Sequence, residues 1–122
     1  MKKACILAGL MLGASLSALA ITPPQARAEI SHLLSTLESS DCQFGRNGAW
    51  YDGKQAAAHL QKKREYLEQR DQIKSAEDFI KKAASQSSTS GDEYKVRCPK
   101  LAELKSADWF QGELKKQRLS GK

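Results

Sequence analysis

Apolar residues at Ile30, Leu33, Leu34 and Leu37 follow the i, i+3, i+4, i+7 spacing that lays one stripe along a helix. The spacing predicts a helix from Glu29 to about Ser40, stopped by Ser39, Ser40 and Asp41, with His32 off the stripe as a surface residue. The period then changes to two. Cys42 and Phe44 alternate as in a short strand, Asn47-Gly48 is a strong tight-turn signal, and Trp50 and Tyr51 can return as a second strand. Asp52 reads as the N-cap of a long helix reaching about Gln72, with a face of Ala56, His59, Leu60, Lys63, Leu67 and Arg70. Ser75 to Asp78 has the form of a capping box, and Phe79, Ile80, Ala83 and Ala84 supply the buried side of a third helix ending near Ser85.

The Ser-rich segment from Ser85 to Gly91 resembles a flexible linker in composition. Tyr94, Val96 and Cys98 follow at once with strand alternation, so an ordered segment is expected instead. Pro99 ends this strand, Leu101 and Leu104 are expected to pack locally, and Ser106 to cap a last helix carrying Trp109, Phe110 and Leu114. The tail from Leu119 should fray. The pattern as a whole predicts an α+β fold, about four helices packed on a small two- or three-stranded antiparallel sheet.

The N-terminal stretch alters the domain count. Lys2 and Lys3 precede a sixteen-residue apolar run from Ala4 to Leu19, followed by small residues at Ala18, Ala20, Ala26 and Ala28, the layout of a secretory signal peptide. The run is shorter than the ~20 residues needed to span a bilayer, so no membrane span is expected after processing. Cys5 lies too early for a lipid-modified cysteine. Cleavage after Ala20 and after Ala28 compete; Pro23 and Pro24, which break the signal helix, and the pattern opening at Glu29 favour Ala28. This assigns residues 1–28 to the signal and 29–122, 94 residues of the 122, to one small domain.

A domain of that size builds a modest core and benefits from a staple. Cys42 and Cys98 form an even pair in an oxidising compartment, which predicts a disulfide. The bridge would enclose 55 intervening residues. Without residues 1–28, 17 basic residues face 14 acidic ones, a net charge of +3. Between Lys54 and Asp71 the basic residues are interleaved with Glu65, Glu68 and Asp71, a mixed solvated face that argues against nucleic acid.

Chemistry-bearing motifs are sparse. The chain has no C-x-x-C, no H-x-x-x-H, no Asp-rich calcium loop, no G-x-S-x-G and no S-x-x-K, so neither metal, cofactor nor serine nucleophile is indicated. One polar set can still converge. Arg46 and Asn47 at the hairpin tip, His59 and Lys63 one turn apart on a helix, and Ser85, Ser88 and Ser90 before the last strand are drawn together if Cys42 bonds Cys98. Such a pocket would suit an anion or a sugar-like group. The same residues also read as turn formers, backbone caps and a hydrogen-bonded core-edge histidine.

The chain carries Glu-Ile-x-His-Leu-Leu at 29–34, Phe-x-Arg-Asn-Gly at 44–48, Ala-x-x-His-Leu-x-x-Lys at 56–63 and Ala-Glu-Asp-Phe-Ile at 76–80. Ala-Ser-x-Ser-Ser-x-Ser-Gly at 84–91, Tyr-x-Val at 94–96 and Trp109 before Leu114 complete the series. In that order they resemble a family of small proteobacterial periplasmic proteins, the YfeK-like proteins with the domain of unknown function DUF5329. The resemblance implies a periplasmic location and the same fold, carries no activity, and covers Arg46, Asn47, His59, Ser88, Ser90 and Gly91 by motif position. Where the family commonly has Pro before its Tyr, this chain has Glu93. The expected function is a non-catalytic binding or protein-interaction module, its partner an envelope protein or a small anionic or glycan ligand. An envelope stress or chaperone-like protein is the alternative and a small hydrolase the third. Inhibition of a basic lysozyme fits a +3 protein less well.

Overall fold

The computed structural model describes residues 21–121, so residues 1–20, which hold most of the expected signal peptide, lie outside the described part. In chain order the elements are α1 (Pro24–Ser39), β1 (Gln43–Arg46), β2 (Ala49–Asp52), α2 (Gly53–Gln69), α3 (Ala76–Ala83), β3 (Lys95–Arg97), β4 (Leu104–Lys105) and α4 (Ser106–Ser120). This is an α+β fold of four helices and one four-stranded antiparallel sheet of order β2-β1-β3-β4.

α1 starts at Pro24, five residues before the expected Glu29. The proline pair read as a breaker instead begins the helix, with Pro23 at the N-cap and Pro24 in the first turn, where its missing N–H costs nothing. Ile30, Leu33, Leu34 and Leu37 are buried as the stripe requires, and Ala26 joins them. At the other end the Ser40 hydroxyl donates to the Leu37 carbonyl at 2.7 Å and accepts from the Cys42 N–H, turning the chain into β1.

The hairpin forms in the expected place. Asn47 and Gly48 both have positive φ, 50° and 81°, the conformation a two-residue turn between twisted strands demands, and the register pairs Phe44 with Tyr51 and Gly45 with Trp50. Asp52 and Gln55 close a reciprocal capping box at the start of α2. Gly53 leaves no room for a side chain: a Cβ there would overlap the Leu37 carbonyl oxygen. This close approach seats α2 antiparallel to α1. The buried face of α2 runs through Gly53, Ala56, Ala57, Leu60 and Arg64, whereas Arg70, expected on that face, is exposed and stacks on Tyr66 with its guanidinium carbon 3.5 Å from the ring centroid.

α2 stops at Gln69 and α3 at Ala83, a few residues short of expectation, because Arg70 and Ala84 serve as the C-caps. The segment 85–93 is ordered by backbone bonds: Ser87 N–H to the Asp92 carbonyl at 2.9 Å, Gly91 N–H to the Ser87 carbonyl at 3.0 Å, and Tyr94 N–H to the Ser85 carbonyl at 2.9 Å. β3 lies against β1, with Phe44 opposite Val96, and the Cys42–Cys98 disulfide adds the next rung beyond the Gln43–Arg97 pair.

The fourth strand and the start of α4 depart from the sequence reading. Leu101 and Leu104 do not pack locally; they are 72% and 43% exposed, and Leu104 instead gives its backbone to β4, opposite Val96. Ser106 is not a cap. Lys105 takes that position, Ser106 is the first helical residue and is fully buried, and its N–H donates to the Tyr94 carbonyl at 2.9 Å. α4 continues through Ser120, past the point where fraying was expected. Arg118 explains part of that length, since its guanidinium pairs with both Glu29 of α1, at 2.9 Å, and Glu77 of α3, at 2.7 Å. The core gathers Ile30, Leu33, Leu37, Phe44, Leu60, Phe79, Tyr94, Phe110 and Leu114 between the helices and the inward face of the sheet.

Candidate functional site

Three residues meet where α2 passes the inward face of the sheet. His59 and Lys63, one turn apart, project from the same side of α2. Tyr94, just before β3, sends its ring into the core, tilted against Phe44 at 4.9 Å between centroids, and its hydroxyl toward the helix. The Lys63 ammonium donates to that hydroxyl at 3.1 Å and to the Gln86 carbonyl at 3.0 Å. His59 Nε2 lies 3.3 Å from the same hydroxyl. An ammonium can only donate, so the hydroxyl accepts from Lys63 and meets His59 Nε2 with either its proton or its second lone pair, according to the imidazole tautomer.

Arg46, at the end of β1, shares the inward face with Phe44, two residues earlier, and holds its guanidinium carbon 5.0 Å from the Tyr51 ring centroid. Its charge reaches the whole cluster. Burial, then Arg46, Lys63 and Lys62, hold the His59 imidazole below its ordinary value. Burial and Arg46 push the Lys63 amine down to about 8. Burial raises the Tyr94 phenol, an effect the nearby Arg46 partly opposes. Among the described residues, Arg46, His59 and Lys63 form no ion pair with a carboxylate, although carboxylates pair elsewhere with Arg64, Lys74, Lys95, Lys105, Lys116 and Arg118. His59 and Lys63 thus meet at one phenol with no carboxylate paired to either among the described residues, and after burial the charge of Arg46 makes both harder to protonate.

The seven residues grouped by sequence do not all share this place. His59 and Lys63 do, with Arg46 near enough for its charge to act on both, and Ser88 lines the groove beside His59 and Lys63. Asn47 and Ser90 make a different structure: the Ser90 hydroxyl donates to Asn47 Oδ1 at 2.6 Å, and Asn47 Nδ2 donates to Ser87 Oγ at 3.2 Å. Ser87 Oγ, buried, also accepts the Thr89 and Ser90 N–H groups, both at 3.3 Å. Both ends of the Asn47 amide are therefore spent on tying the hairpin tip to the 85–93 segment. Ser85 is engaged elsewhere, its hydroxyl donating to the Ile80 carbonyl at 2.7 Å at the end of α3.

Sequence reasoning missed Tyr94, which the alternation marked only as an inward-facing strand residue. A signal was present, because a buried tyrosine hydroxyl calls for a polar partner and His59 and Lys63 were the polar members of an otherwise buried-looking helix face. A second depression, on the outer face of the sheet beside Trp50 and Gly45, has a volume of about 340 Å³. Its lining mixes Arg46 and Lys95 with Asp92, Glu93 and Glu103; Lys95 lies 3.9 Å from Glu103 and, at its edge, Lys105 lies 3.5 Å from Glu93. Arg97 stacks on Trp50 at 3.8 Å. The groove beside Tyr94, by contrast, is lined by His59, Lys62, Lys63 and Lys82 and by no carboxylate.

Among the described residues no helix is long and apolar enough to cross a membrane. No curated protein and no solved structure matches the chain. The profile of the family of unknown function DUF5329 matches residues 24–118, from the first residue of α1 almost to the end of α4, and the chain belongs to that family.

Proposed function

We propose that this protein is an exported, non-catalytic binding module that holds a small anionic ligand at Arg46, His59 and Lys63. The observation that carries the reading is the meeting of His59 and Lys63 at the Tyr94 hydroxyl, beside a groove whose lining holds no carboxylate. Burial first, and then the charges of Arg46 and Lys63, make protonating His59 unfavourable in the free protein. An anion seated between them would relieve that repulsion, so binding and protonation would reinforce each other. A periplasmic location of the YfeK-like kind is supported by the charged and apolar layout of residues 1–28 and by a disulfide that needs an oxidising compartment.

The non-catalytic part of the proposal rests on how the side chains are engaged. His59 Nε2 faces the Tyr94 hydroxyl, and among the described residues no serine oxygen lies within hydrogen-bond reach of it. The Ser85 hydroxyl is held by a backbone carbonyl and that of Ser90 by Asn47. No serine nucleophile paired with a base is assembled there.

Histidine NMR titration of the folded protein, with and without inorganic phosphate, tests the reading. Phosphate should raise the His59 pKa, and Arg46→Ala should abolish that rise. An unshifted His59, with Arg46→Ala and Lys63→Met changing only the melting temperature, would reduce the cluster to a structural role.

A further inference from the structure

The groove that opens from the Tyr94 cluster differs in character from the cluster. It has a volume of about 400 Å³ and is lined by His59, Lys63 and Ser88 at one end and by Tyr66 and Leu67 farther along α2, with Lys62 and Lys82 at its sides. His59 and Tyr66 are seven residues apart on one helix, which separates the two ends by about 10 Å at 1.5 Å per residue. Tyr66 is 57% exposed, and Leu67 packs only partly against the core. The lysine stems add apolar surface along the sides while their ammonium groups stay at the rim. Lys82 is steadied there by the Gln72 carbonyl at 2.9 Å. No carboxylate lines this groove.

A bare inorganic anion would use the basic end and leave the Tyr66–Leu67 wall wet. From this arrangement we infer that the ligand is an anionic amphiphile, a single molecule whose phosphate or carboxylate head meets His59 and Lys63 and whose apolar body lies along α2 over Leu67 and Tyr66. The inference deepens the anion-binding reading and rests on it. Charge complementarity selects the head, since every ionisable group lining the groove other than the Tyr66 phenol is basic. Apolar area removed from water then gives such a ligand its advantage over the head alone.

The test compares four probes by calorimetry and by the His59 NMR signal: inorganic phosphate, octyl phosphate kept below its micelle concentration, octyl glucoside, and phosphatidylglycerol vesicles. Octyl phosphate should bind at least tenfold tighter than inorganic phosphate and shift His59. Tyr66→Ser, at an exposed position, should bring its affinity down toward that of phosphate, and Lys63→Met should weaken it further. Equal affinities for phosphate and octyl phosphate would overturn the amphiphile and leave the anion site standing. Binding of neither would overturn both. Octyl glucoside binding as tightly as octyl phosphate would show that charge does not select the ligand, which also overturns the inference. Vesicle binding without a His59 response to monomeric octyl phosphate would place the basic surface on a bilayer and overturn it too.

Discussion

The guanidinium of Arg64, buried in the middle of the fold, donates to the main-chain carbonyl of Arg27 at 3.3 Å. The same group donates to the Ser31 hydroxyl at 3.1 Å and pairs with Glu68 at 3.2 Å, so it ties α2 to α1 on both sides of Glu29, at Arg27 and at Ser31. Ala26 and Thr22, both buried, add packing from the same stretch. A chain beginning at Glu29 would lose the Arg27 carbonyl and the packing of Ala26 and Thr22, while Ser31 and Glu68 would remain. The two candidate starts therefore differ in stability, since a chain beginning at Ile21 keeps these contacts and the expected start at Glu29 does not. Intact mass of the exported protein decides between the two starts. A chain shortened to begin at Glu29 should be less stable by about 2 kcal/mol or more, the scale of losing a hydrogen bond to a buried charge together with some apolar packing. An exported form starting at Glu29 with an undiminished melting temperature would overturn this.

The disulfide joins two strands that are already neighbours. Cys42 and Cys98 continue the β1–β3 ladder, yet they lie 56 residues apart in sequence, so the bridge removes much more freedom from the unfolded chain than from the folded one. For a loop of that length the chain-entropy estimate is about 4 kcal/mol. In a domain of this size that corresponds to a fall in melting temperature on the order of 20 °C upon reduction. Thermal melts with and without reductant measure it. A melting temperature unaffected by reductant, or two free thiols in the native protein, would contradict the expectation.

Ser106 separates two readings of one residue. As a helix cap, its replacement by alanine would cost about 1 kcal/mol. In the structure its hydroxyl is fully buried and has no hydrogen-bond partner among the described residues, and Lys105 occupies the cap position without a side-chain bond. A buried hydroxyl with no partner is a liability, so Ser106→Ala should be neutral or stabilising by up to about 1 kcal/mol. Denaturant unfolding of the variant gives the sign directly, and a clear loss of stability would restore the capping role.

Much of the fold was legible because local chemistry decided it. Asn47-Gly48 specifies a turn that few other residue pairs accept, the Asp52 cap and the Ser75 cap mark helix starts, and period-3.6 burial identified the inner faces of α1 and α3. What escaped was set by distant partners. Arg64 reads as one more charge on a mixed helix until Arg27, Ser31 and Glu68 surround it. β4 is two residues long and exists because β3 offers a free edge, which no property of Leu104 or Lys105 announces. The polar set was legible as a collection but not as a partition. Which serine faces Asn47, which caps α3 and which lines the groove depends on the backbone path through Gly91, at φ 80°, and that path follows from contacts with the hairpin.

The cluster around Tyr94 should write itself into the pH dependence of stability. Burial, then the charges of Arg46, Lys63 and Lys62, lower the His59 pKa from 6.5, so just below 6.5 the unfolded chain binds a proton that the folded chain does not. Stability therefore rises with pH through that window, and the penalty is fully present at lower pH. Lys63 repeats the pattern higher up. Its amine titrates at about 8 in the folded protein against 10.5 when unfolded, so stability should rise again between those values as the buried ammonium is neutralised. Tyr94 then reverses the trend: its phenol is raised above 10.0, chiefly by burial, so beyond pH 10.0 the unfolded chain ionises first and the folded state loses ground. Two substitutions separate the contributions. His59→Asn should flatten the rise below 6.5, and Lys63→Met the rise above about 8. A bound anion should flatten the lower rise as well, because it favours the imidazolium that the free protein resists. Denaturant melts from pH 5 to 11 on the three proteins supply the curves. If the rise above pH 8 persists in Lys63→Met, it belongs to another amine, and Lys63 is not the desolvated base of this site.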